Sequence, residues 1–378
     1  RALPLHNAAS DIGAMHNYIL AGVFKLLGPG IYWPRLYVAF CSALTVVLVY
    51  RLGQELYGRT TGLLAALLLM FNGMHILTSH MAWSNCTTPF FFTLALLATI
   101  KAEHNQSGPW LAGAGLLWAA CLQTHSSAVI YIAVILAYIA FSGFRRHTGI
   151  KPGWYLAAGA LFLAGYANMI YFNLVTRGGS IRWLSHKGYA LEQNLTLLTY
   201  LHNAENMATQ VVRALGSIYG SHEHIWQYLG HPNFILAILT LGIGINLAIK
   251  RRGAASLPLW IITGSVIIMP LVNKRFVFYL PTRYTMPVLI CCILLAALAV
   301  VHIFPRLSGL FAGRKYLLPV GAGLFVALAV SQFIPYSYYC LSRLDSNESN
   351  RMALQALNLA CAMSENRKNK SKSCLSAL

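Results

Sequence analysis

The chain has 378 residues, of which 57% are hydrophobic and 10% charged, with 28 Lys and Arg against 9 Asp and Glu for a net charge of +19. This composition excludes a disordered or fibrous chain and fits a soluble one poorly. The positive charge does not mark a nucleic-acid binder, because the basic residues sit at the ends of apolar stretches and not in one stripe interleaved with exposed aromatics.

The chain begins at Arg1 without an initiator Met or a signal-peptide pattern, and so reads as a fragment or a processed chain. Residues 1–33 read as the end of a first outer loop. Within it, residues 12–28 are apolar but contain His16, Asn17 and Lys25 and break at Gly28, Pro29 and Gly30, as expected of an interfacial helix. Ten candidate spans follow: 34–50, 61–79, 86–100, 109–123, 126–142, 154–175, 232–249, 256–272, 284–303 and 316–334. The fold class is therefore all-α, a polytopic transmembrane helix bundle of about ten spans. Its parts are an N-terminal bundle over 34–175, an outer loop subdomain over 176–232, a C-terminal bundle over 233–335 and an extracytoplasmic tail over 336–378. The outer loop is too long for a plain connector and holds helix-like stretches at 191–201 and 204–215.

Orientation follows from the links between spans. Five links carry Arg51 and Arg59; Lys101; Arg145, Arg146 and Lys151; Lys250, Arg251 and Arg252; and Arg306, Arg314 and Lys315. The links on the other side, near 80–85, 124–125 and 273–283, carry only Lys274, Arg275 and Arg283. The positive-inside rule places the first set in the cytoplasm and the long loop outside.

Cys41, Cys86, Cys121, Cys291 and Cys292 fall in or at the ends of apolar spans and read as small hydrophobes, whereas Cys340, Cys361 and Cys374 lie in the polar tail. No C-x-x-C, phosphate-binding loop or dinucleotide fingerprint occurs, so transfer chemistry outside the cytoplasm needs a donor that arrives through the membrane. Asp11 is the outer carboxylate best placed as a general base, although the N-cap of the interfacial helix is the stronger reading of it. The link 273–284 sets Lys274, Arg275 and Arg283 among aromatics that include Tyr284. These cations suit a lipid phosphate, and snorkelling to headgroups is the plain alternative. His75, His80, Asn85 and His125 are polar groups at outer span ends, suited to lining a cavity or to hydrogen bonds between helices. His222, His224 and His231 lack a fourth metal ligand and read as a solvated loop. No internal repeat and no Gly- or Pro-broken span of the transporter type is apparent.

Taken in order, several motifs carry a resemblance. They are Gly28 with Tyr32-Trp33-Pro34-Arg35-Leu36, Tyr50-Arg51-Leu52-Gly53, Tyr57-Gly58-Arg59, His75-Ile76, Ser79-His80, Asn85, Gln123-Thr124-His125 and Arg283-Tyr284 with Pro287. From about residue 12 to 335 the chain resembles the family 39 glycosyltransferases, bacterial relatives of the dolichyl-phosphate-mannose protein mannosyltransferases within the GT-C fold. The resemblance implies an enzyme of the bacterial inner membrane that takes a sugar from a polyprenyl-phosphate donor at the outer face. It implies a glycan, lipid or protein acceptor and membrane lipids as partners; no cofactor is read from the sequence, and dependence on a divalent metal stays open. An acidic residue of the first outer loop would be the base, Arg283 with Lys274 or Arg275 would hold the donor phosphate, and His80, Asn85, His125 and Tyr284 would line the cavity. The chain departs from the pattern in several places: the Asp-Glu pair of the first loop is absent, which suggests that the main base lies upstream of Arg1; no Pro-Pro precedes the interfacial helix; His80 stands where many relatives have Arg; and Asn85 stands where many have Asp. A transporter or lipid flippase, and a catalytically incomplete fragment, are the competing readings.

Overall fold

A computed structural model describes residues 6–7, 12–141, 144, 148–186, 196–218, 225–272 and 284–310. A short antiparallel ribbon, β1 (His6–Asn7) and β2 (Ile12–Gly13), precedes the interfacial helix α1 (Met15–Leu27). The N-terminal bundle follows as α2 (Trp33–Tyr57), α3 (Arg59–Met70), α4 (Gly73–Ser79), a 3-10 turn over Ser84–Thr87, α5 (Thr88–His104), α6 (Gly108–Thr124), α7 (Ala128–Phe141), α8 (Pro152–Gly165) and α9 (Ala167–Val175). The long loop contributes α10 (Gly179–His186) and α11 (Leu197–Leu215), and the chain then returns as α12 (Pro232–Ile249), α13 (Leu257–Val272) and α14 (Met286–Leu310).

Proline sets many of these starts. Helices α2, α5, α6, α8 and α12 each carry Pro in their first turn, where its missing N–H costs nothing and its fixed φ suits the helix. At Gly58, φ is +97°, a left-handed geometry that lets the chain stop α2 and reverse into α3.

Nine of the ten expected spans fall on described helices, and the tenth, 316–334, lies outside the described residues. Among the described residues, four helical segments are long and apolar enough to cross a membrane alone: Trp33–Tyr57, Pro232–Ile249, Gly253–Leu271 and Met286–Phe304. Two of the expected spans are broken, which the sequence reading missed. Helices α3 and α4 meet at 62°, and α8 and α9 at 61°. The first break is made by Asn72, whose Oδ1 accepts the N–H groups of Met74 and His75 at 3.1 Å and so starts a new helix inside an apolar run. The second falls after Gly165, whose carbonyl accepts Gln123 Nε2 at 2.6 Å. The expected stretch 204–215 and the end of the stretch 191–201 form one helix, the 19-residue α11, which runs unbroken through His202 and Asn203, while residues 191–195 lie outside the described residues.

Helix α14 is the centre of the bundle. Every residue from Thr285 to Ala299 is buried, and α2, α3, α5, α11, α12 and α13 all pack on it. A helix that is apolar and covered all round belongs in a core, and Cys291 and Cys292 serve there as small apolar side chains. Glycines permit the close packing: Gly244 of α12 lies against the Leu295 carbonyl, and a Cβ on Gly53 would stand 2.6 Å from Gly62 Cα and 3.2 Å from Leu294 Cδ2. The outside is apolar as well, with Leu156 and Leu163 of α8 and Leu239 of α12 exposed, as lipid contact requires. The chain is an integral membrane protein.

Three of the basic links collect at one end. The Tyr57 hydroxyl donates to the Ala255 carbonyl at 2.8 Å, and the Arg251 guanidinium lies 5.1 Å from the centre of the Tyr57 ring. Lys101 Nζ is 3.4 Å from Glu55, and the Tyr138 hydroxyl donates to the buried Glu103 Oε2 at 2.6 Å. Links 51–59, 101–107 and 250–256 therefore share a face, as their charge predicted. Replacing Gly53 by Val should overfill the α2–α3–α14 contact, lowering stability by about 1–3 kcal/mol. A wild-type melting temperature for Gly53→Val in detergent would show that the contact yields freely.

Candidate active site

The opposite end is organised around the last turn of α6. Thr124 Oγ1 accepts or donates a 2.8 Å hydrogen bond with Thr88 Oγ1, which joins α6 to the start of α5 just after the turn that carries Asn85. The chain then leaves the helix at His125, in extended geometry. The His125 ring stacks on Tyr284 with centroids 4.4 Å apart and planes at 24°. Its Nδ1 accepts the Ser127 N–H at 3.1 Å and lies 2.8 Å from the Ser127 hydroxyl, so the neutral ring carries its proton on Nε2. The Tyr131 hydroxyl donates to the Tyr284 carbonyl at 3.0 Å. Tyr284, at the start of the central helix, is thus held by both His125 and α7.

Two further elements converge here. Gln123 reaches the α8–α9 break through the Gly165 carbonyl and accepts Asn168 Nδ2 at 3.3 Å. Gly13 lies against Gln123, where a Cβ would come within 2.6 Å of the Gln123 backbone, so β2 rests on the end of α6. From the long loop, α11 docks on the α3–α4 break: Asn72 Nδ2 donates to the Ala214 carbonyl at 2.6 Å and Gly73 N–H to Ser217 Oγ at 3.0 Å. Tyr200 and Asn203 of the same helix donate to the carbonyls of Ile267 and Pro270 on α13.

Of the residues singled out in the sequence, His125 and Tyr284 are in direct contact. Asn85 lies half-buried on the turn beside Thr88, with the Cys86 thiol 3.6 Å from its Oδ1. His80 ends α4 exposed, its Nδ1 2.7 Å from the Ile76 carbonyl. His75 is buried within α4. Asp11, Lys274, Arg275, Arg283, His222 and His224 lie outside the described residues. Helix α1 begins at Met15 with Ala14 at its N-cap, so Asp11 does not directly precede that helix as expected. Among the described residues no group of three His, Cys, Asp or Glu side chains is placed to hold a metal ion.

Sequence reasoning missed three features. Asn72-Gly73 inside an apolar run is a breaker signal that was available. Arg213, whose guanidinium lies 5.2 Å from the Tyr228 ring centre, brings a half-buried cation to the docked helix α11, and no pattern in the sequence announces it. His16 is buried against Tyr37, with ring centroids 5.4 Å apart, although a polar residue on an interfacial helix is expected to face water.

The fold and this site define a polytopic membrane protein of the GT-C fold. Residues 11–172 match the family described as dolichyl-phosphate-mannose-protein mannosyltransferase. The structure resembles that of ArnT from Cupriavidus metallidurans bound to undecaprenyl phosphate, with a TM-score of 0.58 and 14% identity, covering 79% of this chain and 51% of that one. It resembles the apo form of the same protein with a TM-score of 0.55 and 14% identity, covering 78% and 50%. The chain thus spans about half the length of these structures, and the likeness is one of fold. A search of curated proteins finds no match.

Burial lowers the pKa of His16 below its ordinary value of 6.5, because the imidazolium loses its hydration there. The unfolded chain therefore binds a proton that the folded one refuses. This contribution to stability is complete above pH 6.5 and is lost as the pH falls through that value toward the lowered one. Melting temperatures at pH 7.5 and 5.5 should diverge less in His16→Phe than in wild type. An equal divergence would show that His16 stays hydrated.

Proposed function

We propose that the protein is a membrane glycosyltransferase that moves a sugar, a hexose in the simplest case, from a polyprenyl-phosphate donor to an acceptor hydroxyl on the extracytoplasmic face. The family match over residues 11–172 carries the reading. It is supported by the fold shared with a protein solved with undecaprenyl phosphate, and by convergence of polar elements at the end of the bundle away from the basic links.

In this reading, the acceptor oxygen attacks the anomeric carbon, the bond from that carbon to the phosphate oxygen breaks, and the electron pair leaves with polyprenyl phosphate. A first-loop carboxylate takes the acceptor proton, and Asp11 is the candidate for that role among the residues of this chain. Arg283, with Lys274 or Arg275, neutralises the charge that grows on the leaving phosphate. Arg283 immediately precedes Tyr284 in the sequence, and Tyr284 is held in place by His125 and Tyr131. His125, Asn85 and His80 contribute hydrogen-bonding groups around the sugar.

Broken helices also occur in transporters, where they bind substrate near the middle of the bilayer. Here both breaks are occupied by the protein's own side chains, Asn72 with α11 and Gln123 with Gly165, which favours a fixed scaffold over a moving gate.

Arg283→Lys keeps the charge but loses the planar fork, and each charge-assisted hydrogen bond lost costs about 1.5–3 kcal/mol. Transfer kinetics with a radiolabelled polyprenyl-phosphate sugar should therefore show at least tenfold weaker donor use in Arg283→Lys and near-abolition in Arg283→Ala, with unchanged melting temperatures. Wild-type kinetics in Arg283→Ala would move the phosphate site elsewhere.

A further inference from the structure

We infer that His16 and Tyr37 form a contact for the sugar of the lipid-linked donor, on a wall of the site built by α1 and α2. This rests on the glycosyl-transfer reading and adds a sugar-recognising pair to it.

Both side chains are oddly placed if they serve only the fold. His16 lies in the first turn of α1 and is 5% exposed, and its Nδ1 is buried with no hydrogen-bond partner among the described residues. The Tyr37 hydroxyl, on α2, is also buried, and the Cys41 thiol beside it is a weak hydrogen-bond partner. Their rings are 5.4 Å apart and tilted at 55°, so an unpartnered nitrogen and a weakly partnered hydroxyl sit on neighbouring rings of different helices. Buried polar groups in proteins are nearly always paired, and an exception calls for a ligand or a water.

The place is right for substrate. Gly13, three residues before His16, rests on Gln123 at the end of α6, and α2 packs on the turn that carries Asn85. The chemistry selects the ligand class. Burial keeps His16 neutral, so the pair offers an imidazole nitrogen and a phenol with no net charge. A phosphate needs cations, and an isoprenoid chain offers nothing to bond. A sugar hydroxyl both donates and accepts, and matches a neutral nitrogen and a phenol together.

The test uses the full chain in lipid nanodiscs and four ligands: undecaprenyl phosphate, and undecaprenyl phosphate carrying mannose, glucose or N-acetylglucosamine. Wild type should bind the best of the three glycolipids more tightly than the bare carrier. Tyr37→Phe and His16→Phe should each reduce that preference about three- to tenfold, the effect of one neutral hydrogen bond, and leave the affinity for bare undecaprenyl phosphate unchanged. Tyr37→Phe removes a single oxygen, so its melting temperature should stay at the wild-type value. The inference is overturned if either variant keeps the full preference, if both lose affinity for all four ligands equally, or if wild type shows no preference for any sugar. Should wild type bind none of the four, the glycosyl-transfer reading itself fails, and the pair's role with it.

Discussion

The bundle depends on one helix being surrounded. From Thr285 to Ala299, α14 has no exposed residue, and six other helices pack on it. In a bilayer the apolar effect does not drive helices together, since lipid tails are as apolar as Leu, so this arrangement rests on close contact. Gly244 against the Leu295 carbonyl, and Gly53 against Gly62 and Leu294, are where that contact is tightest. The same helix begins at the site, because Tyr284 sits two residues before its first turn and is fixed by His125 and Tyr131. Packing at the centre and geometry at the site are therefore two consequences of one placement.

Helix lengths differ across the bundle. Helices α5 and α6 have 17 residues and α7 has 14, so they reach about 26 and 21 Å at 1.5 Å per residue. The 25-residue α2 reaches about 37 Å. Elements rising from the basic end through α5, α6 and α7 thus stop short of a hydrocarbon layer about 30 Å thick. Polar groups at their ends, Thr88, Thr124 and His125, lie at the end of the bundle away from the basic links, where β2 rests on the end of α6.

Much of this was legible in the sequence, and the reasons differ by residue. Span positions were readable because long apolar runs have no other home, and many of their starts because Pro34, Pro89, Pro109, Pro152 and Pro232 mark first turns. The shared face of the basic links was readable from charge alone, as the contacts of Tyr57 with Ala255 and Arg251 bear out. The breaks were not read, because hydropathy averages over Asn72, which caps α4 with its own side chain, and over Gly165, whose carbonyl is met by Gln123 of α6. The pairing of His125 with Tyr284 was half legible: both were picked as polar or aromatic groups at the same side, but stacking across 159 positions is set by the tertiary fold. Burial of His16 was not legible, since an amphipathic stretch does not say which of its polar residues turns inward.

The account turns on which way the site end faces, because a donor carried by polyprenyl phosphate and an acceptor outside the cell both require it to be extracytoplasmic. Asn105, on a basic link, and His231, at the start of α12, are both exposed and suit single-cysteine labelling in a background without the native thiols. With a membrane-impermeant maleimide on intact cells, His231→Cys should react at once and Asn105→Cys only after permeabilisation. Labelling of Asn105→Cys in intact cells with His231→Cys protected would invert the molecule and contradict the account.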